Sequence, residues 1–218
     1  MKSLKLSMVF IALLAATPLA AQSRSVDLYG FVNWVDPSGD SVFDADGLDD
    51  ARVEFDSEQG FGVAVNVFFS NRVSAEFAAS VVEPEVAFRS DNPAFPLLTG
   101  GDLEMIPITA TLQYHFNPDG RLDPYVGLGA AYVLFDQVDD IGDVGGVDVD
   151  AIDFDDDVGL VVNAGLTFDI TPTFAVYVDG KYVPVSSSAT ATFATGPGTS
   201  TDIDINPLIL SAGLGIQF

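Results

Sequence analysis

The chain has 218 residues, 48% of them hydrophobic, yet its formal net charge at pH 7 is −24. So large a negative charge excludes nucleic acid as a partner. The lack of cysteine excludes disulfides, thiolate metal sites and a cysteine nucleophile. High apolar content and high charge are compatible only if the two are separated along the sequence, and they are.

The first 21 residues have the pattern of a secretory signal peptide. Lys2 and Lys5 precede an apolar core from Met8 to Ala16, and small residues follow up to Ala21. This core is too short to cross a bilayer as a helix. We expect cleavage after Ala21, with Ala20 as the alternative, and export of residues 22–218 as one domain.

The rest of the chain contains no run of about 18 apolar residues, which excludes a transmembrane helix. Instead, eight segments alternate apolar residues with small or polar ones, as strands with one apolar face do. The eight segments are Val26–Val35, Phe61–Phe69, Val73–Val81, Ile106–Phe116, Val126–Leu134, Val158–Ile170, Phe174–Lys181 and Ile203–Phe218. The hairpin of Ile106–Phe116 and Val126–Leu134 has arms of roughly 9–11 residues, enough for tilted strands to cross a bilayer.

The connections between these segments alternate long and short. The short ones are Ser70–Arg72, Asn117–Asp123 and Thr171–Thr173. Short periplasmic turns and long outer loops are typical of bacterial outer-membrane barrels. We therefore predict an all-β fold: an eight-stranded antiparallel up-and-down transmembrane barrel with long acidic extracellular loops. Its location would be the outer membrane of a Gram-negative cell.

The face opposite the apolar one is rich in Gly, Ala, Ser, Thr, Asn and Gln and carries few charges. A soluble barrel of the lipocalin kind would expose that face to water and should carry many more charges there. We expect it to line the interior instead. The lumen-lining candidates are Tyr29, Phe31, Phe68, Thr109, Thr111, Gln113, Val133, Val161, Asn163, Tyr177, Lys181 and Ile209.

Acidic residues concentrate in the long loops, which hold 26 of the chain's 32 Asp and Glu residues. One interpretation is a solvated acidic surface that keeps the loops soluble. The other is divalent-cation binding by clustered carboxylates such as Asp153 and Asp155–Asp157. The segment Asp44–Gly47 matches part of an EF-hand loop, but Val42 occupies the first ligand position and no Glu closes it. We assign no metal site.

No catalytic motif is apparent, and no cofactor is expected. His115, the only histidine, has no matching serine nearby in the sequence and is interpreted as an interior hydrogen-bonding residue. Asp179 and Lys181 share one face, and the hairpin register places Lys181 across from Asn163. We predict an interior ion pair there. The chain is not expected to be an enzyme.

Three stretches of the sequence resemble the OmpW family of outer-membrane proteins. They are LQYHFNPDGRLDPYVGLGAAYVLF, FAVYVDGKYVPV and the final DINPLILSAGLGIQF. The resemblance implies an eight-stranded barrel with a narrow, largely apolar lumen that passes small hydrophobic compounds. The alternative is a structural or surface-interaction barrel whose acidic loops bind divalent cations or partners. Further expected partners are membrane lipid, lipopolysaccharide and the barrel-assembly machinery, which would recognise Phe218 as an assembly signal.

Overall fold

A computed structural model describes residues 25–38, 41–43, 51–90, 103–135, 138–144, 147–193 and 199–218. The proposed signal peptide and the Asp44–Gly47 segment lie outside these residues. Within the described part of the chain, no helix has the length and apolarity needed to span a membrane.

The described residues form fourteen strands. They are β1 (Val26–Ser38), β2 (Ser41–Phe43), β3 (Ala51–Phe55), β4 (Glu58–Ser70), β5 (Val73–Val81), β6 (Val86–Ser90), β7 (Met105–His115), β8 (Leu122–Phe135), β9 (Val138–Val144), β10 (Val147–Phe154), β11 (Asp157–Asp169), β12 (Phe174–Tyr182), β13 (Val185–Phe193) and β14 (Thr199–Gln217).

Eight of these strands close into an antiparallel barrel in the order β1-β4-β5-β7-β8-β11-β12-β14. Closure is made by β1 and β14, which pair from Asp27↔Gln217 to Ser38↔Asn206. The main-chain N–H of Phe218 also donates to the Val26 carbonyl at 2.9 Å. Each barrel strand overlaps one of the eight predicted segments, so the predicted fold class is confirmed. A closed barrel has no unpaired edge to expose to lipid.

The predicted long loops contain six further strands, which corrects the expectation of loops alone. β13 pairs with the outer part of β14, β10 pairs with β13, and β9 pairs with β10, so one wall of the barrel continues outward. β2, β3 and β6 form a separate small sheet. The sequence of β10, VDVDAIDF, does alternate, but its alternate residues are aspartates, which favour loops.

The apolar face of each barrel strand points outward, as the alternation predicts. Side chains that a soluble protein would bury are open to the surroundings here: Leu214 is 68% exposed, Val158 67% and Leu128 59%. Large exposed apolar surfaces of this kind mark contact with a membrane or a partner.

The inward face is filled by aromatic rings that pack against glycines. A methyl group added at Gly165 would lie 2.3 Å from the Tyr125 ring, and one at Gly215 would lie 2.3 Å from the Tyr29 ring. Only a residue without a side chain permits so close an approach. The small residues of the inward face therefore make space for rings in a narrow barrel.

Candidate functional site

The barrel interior divides into two zones of different chemistry. We call the half nearer the long connections the outer zone; its inward side chains are buried and almost all apolar. They include Val35, Val82, Met105, Val133, Val161, Val183, Ile205 and Ile209. The half nearer the termini and the short turns is the inner zone, and it is polar. Its buried side chains include Asp27, Asn66, Glu76, Gln113, His115, Asp123, Asn163, Asp179 and Lys181.

An ion-pair network lies at the boundary between the zones. The Lys181 Nζ contacts Asp179 Oδ1 at 2.5 Å and Glu76 Oε1 at 2.9 Å. The other oxygen of Asp179 accepts hydrogen bonds from Asn163 Nδ2 and the Tyr125 hydroxyl, each at 2.9 Å. One cation and two carboxylates leave this network with a net charge of about −1 if all three are ionised. It ties β5, β8, β11 and β12 together across the lumen.

The predicted Asp179–Lys181 ion pair is thus present, and Lys181 pairs with Asn163 in the β11–β12 register as predicted. Glu76 is a second partner of Lys181 that the sequence did not predict. Its strand, β5, does not neighbour β12. A contact across the lumen depends on barrel closure, and hairpin register alone gives no signal for it.

Further hydrogen bonds fill the inner zone. Asn66 Nδ2 donates to Gln113 Oε1 at 3.1 Å, and the Tyr29 hydroxyl donates to Asp27 Oδ2 at 2.9 Å. The Tyr29 and Tyr177 rings lie 4.5 Å apart, centroid to centroid. Buried polar groups that are mutually hydrogen-bonded form a rigid layer rather than an aqueous channel.

His115 is a buried, hydrogen-bonded interior residue, as the sequence indicated, and one of its partners is Ser74, a serine distant in the sequence. Its Nε2 lies 2.9 Å from Ser74 Oγ, and its Nδ1 lies 2.7 Å from Asp123 Oδ2. All three residues are at most 1% exposed. The Phe68 ring packs 4.8 Å from the imidazole, centroid to centroid. A serine that substrate cannot reach is no nucleophile in this geometry, and the trio joins β5, β7 and β8 at the inner end of the barrel.

All twelve lumen-lining candidates point into the barrel, and eleven are buried; Phe31 is partly exposed. Tyr29, Phe68, Thr111, Gln113, Asn163, Tyr177 and Lys181 lie in or against the polar layer. Val133, Val161 and Ile209 lie in the outer zone, and Phe31 and Thr109 lie near the boundary. Tyr125 shares their face but was not among the candidates.

Outside the barrel interior, the structure places two features named from the sequence, the clustered carboxylate Asp156 and the terminal Phe218. Asp156 accepts hydrogen bonds from the Tyr132 hydroxyl at 2.9 Å and from the Phe135 main-chain N–H at 3.1 Å, so both its carboxylate oxygens are engaged. Within the described ranges, no group of three or more His, Cys, Asp or Glu residues is arranged to hold a metal ion. Phe218 is 63% exposed beside the β1–β14 closure.

A closed eight-stranded antiparallel barrel, apolar outside and filled with a polar layer inside, is an outer-membrane barrel. The chain belongs to the OmpW family, whose family model matches residues 27–218. This confirms the resemblance found in the sequence and the Gram-negative outer-membrane location. Both the family and the fold are those of outer-membrane barrels.

The relatives include the outer membrane protein AlkL of Ectopseudomonas oleovorans, 26% identical over 181 residues, which are 83% of this chain and 75% of AlkL. Among solved structures, OprG from Pseudomonas aeruginosa superposes with a TM-score of 0.75 at 21% identity, over 89% of this chain and 96% of OprG. The solid-state NMR structure of AlkL gives 0.65 at 24% identity, over 93% of this chain and 95% of AlkL. The two structural likenesses concern the fold alone.

Proposed function

We propose that this barrel gives passage to small hydrophobic molecules across the outer part of the membrane. The observation that carries the proposal is the apolar lining of the outer zone. An apolar solute that enters it exchanges water for side chains such as Val133, Val161 and Ile209, all at most 4% exposed to solvent. Transfer of apolar surface out of water gains roughly 25 cal/mol per Å².

The polar layer makes a straight path through the lumen unfavourable for such a solute. The route would separate Lys181 from Glu76 and Asp179 and leave buried charges unpaired. Breaking a buried ion pair in this way costs several kcal/mol, about 3–5. An apolar solute offers no hydrogen bonds in return. We therefore infer that the solute leaves the outer zone sideways, through the barrel wall and into lipid.

The seam between β5 and β7 offers a place for this exit. Their ladder runs from Val73↔Tyr114 to Ala79↔Ile108, stops, and resumes only at the isolated Val82↔Met105 bridge. Pro107 lies in the interval, and proline has no N–H to donate to a neighbouring strand. A wall that lacks cross-strand hydrogen bonds opens more easily than one that has them.

The test is uptake of n-octane by Gram-negative cells that produce the barrel, compared with cells that do not. We expect barrel-dependent uptake of octane and none of a hydrophilic solute such as glucose. Equal octane uptake in both strains would contradict the proposal.

The exit route is tested by cross-linking the seam, and the lack of native cysteine makes this clean. We expect oxidation of the Val81→Cys/Ile106→Cys pair to stop octane uptake and reduction to restore it. The control is Ala75→Cys/Leu112→Cys, a pair that already faces across the intact part of the same seam. Unchanged uptake with the first pair oxidised would rule out this route.

The alternative, a surface-interaction barrel whose acidic loops bind divalent cations or partners, has less support. Of the clustered carboxylates, Asp156 is already used by Tyr132 and Phe135. A cation would have to displace those two donors before it could bind there.

A further inference from the structure

We infer that the floor of the outer zone holds a binding site for a single hydroxyl group, so that the solutes favoured by this barrel are aliphatic alcohols rather than plain hydrocarbons. The inference deepens the proposed function and rests on it for the route by which the solute arrives. It names the class of solute that the interior recognises.

A small cavity marks the site. Its volume is about 10 Å³, and it lies where the apolar outer zone meets the ion-pair network. Its lining includes Ser80, Pro107, Thr109, Lys181 and Ile209. Ser80 and Pro107 occupy facing positions in the interrupted interval of the β5–β7 seam. The cavity therefore adjoins the proposed exit.

The polar groups of the cavity complement a hydroxyl. Thr109 is 3% exposed, and its Oγ1 has no hydrogen-bond partner among the described residues. Ser80 Oγ accepts a hydrogen bond from Asn33 Nδ2 at 3.0 Å, which directs the Ser80 proton to another acceptor. A guest hydroxyl can donate to Thr109 Oγ1 and accept from Ser80. A hydrocarbon satisfies neither group, and a buried polar atom without a partner is unfavourable.

Size and charge select the hydroxyl over other polar groups. A cavity needs roughly 10–15 Å³ to hold one water-sized group, so a single oxygen fits and a three-atom carboxylate does not. The adjoining Lys181 is already paired with Glu76 and Asp179. A carboxylate would therefore meet a network that is negative overall. The apolar body of the alcohol remains among the aliphatic side chains of the outer zone.

Calorimetric titration of the barrel in lipid nanodiscs, against empty nanodiscs, tests the site with 1-octanol, n-octane and octanoate. After correction for partition into lipid, we expect octanol to bind about five- to tenfold more tightly than octane, the effect of one satisfied buried hydrogen-bonding group. Octanoate should bind no more tightly than octane. The Thr109→Val barrel should lose the preference for octanol over octane.

Thr167→Val is the matched control, because Thr167 is also a buried inward threonine but lies at the inner end of β11. It should keep the preference. Ser80→Ala is the second variant, and it decides the matter if Thr109→Val fails to show the heat-modifiable migration of a folded barrel. Equal binding of octanol and octane by the unmodified barrel would overturn the inference, and so would a preference that survives both substitutions.

The uptake assay and the titration distinguish failure of the passage function from failure of the hydroxyl-site inference. If cells show no barrel-dependent octane uptake, passage is wrong, whereas the titration still decides whether the hydroxyl site exists. A cavity that only retains a water molecule gives equal affinities for octanol and octane and therefore counts against the inference.

Discussion

The two zones of the barrel interior are built on the same eight strands and the same alternation, yet they differ in chemistry. In the outer zone, inward positions such as Val133 and Val161 are aliphatic and need only close packing. In the inner zone, the inward positions depend on specific partners, as Lys181 depends on Glu76 and Asp179. Aliphatic side chains can move apart around a solute and keep apolar neighbours. Moving one member of the ion-pair network leaves a buried charge unpaired, which is costly. Under the proposed passage function, the outer half would admit the solute and the inner half would close the barrel.

The largest expected effect comes from removing the cation of the inner zone. Lys181→Met should destabilise the barrel by about 3–5 kcal/mol, because two buried carboxylates lose their partner. Urea unfolding in lipid vesicles measures the change in the free energy of unfolding. The folded fraction at each urea concentration is read from gel electrophoresis, because a folded barrel and a heat-denatured barrel migrate differently.

The control for this variant is the triple substitution Lys181→Met/Glu76→Gln/Asp179→Asn, which removes all three charges. It should recover a large part of the lost stability, since replacing a buried ion network with neutral residues is often close to neutral. If the triple variant were less stable than Lys181→Met, the charges would not be acting as a unit.

A charge on the lipid-facing surface should have the next largest effect. Leu128→Arg places a cation in the apolar belt and should cost about 2–4 kcal/mol near mid-membrane. Asn71→Arg, in the exposed periplasmic turn, is the control and should stay within about 0.5 kcal/mol of the parent. Equal unfolding midpoints for the two variants would show that Leu128 does not face lipid.

A hydroxyl added to the outer zone tests how apolar that zone is. Val133→Thr keeps the shape of the side chain but buries a polar group, and it should cost about 1–3 kcal/mol. The same substitution at Val158, which faces outward and is 67% exposed, is the comparison and should have a smaller effect. A neutral result at Val133 would mean that this part of the lumen is wet.

The reciprocal change in the inner zone should have the smallest effect. Thr111→Val removes the acceptor of the 3.4 Å hydrogen bond from Gln113 Nε2, and about 0.5–1.5 kcal/mol should be lost. Equilibrium unfolding again gives the number. A gain in stability at Thr111 would erase the distinction between the zones, because both would then prefer aliphatic side chains.

Alternation was sufficient to predict the eight strands, their lipid-facing side and the inward direction of residues such as Asn163 and Lys181. Period-two patterning is strong wherever one face of a strand meets lipid. It was insufficient for contacts that cross the lumen. Glu76 and Lys181 lie on strands that are not neighbours, and they meet only once the sheet has closed. The Ser74–His115–Asp123 trio joins the adjacent strands β5, β7 and β8, and its Ser74–His115 contact depends on the β5–β7 pairing, across the long connection between those strands.

The strands that continue the barrel wall outward, β9, β10 and β13, are called the rim strands here. The alternation of the sequence did not predict them, for a different reason. In β10 the alternate residues are aspartates, and in β13 they are Ser, Thr and Ala, so neither strand has the strongly apolar face that identifies the barrel strands. β13 pairs with the outer part of β14, and β10 pairs in turn with β13. A strand that forms because its neighbour is already in place carries little signal of its own.

β14 takes part in both the barrel wall and its outward extension, the rim. Its 19 residues extend without interruption from the closure with β1 into the pairing with β13. The phase of its side chains is therefore common to the membrane wall and the rim. A one-residue slip at the closure would move the attached edge of the rim by roughly 3.4 Å and reverse which face of β14 each residue occupies. The register of the β1–β14 pairing within the membrane therefore sets the position of the sheet that β13, β10 and β9 form outside it. An error in barrel closure would shift that extracellular sheet.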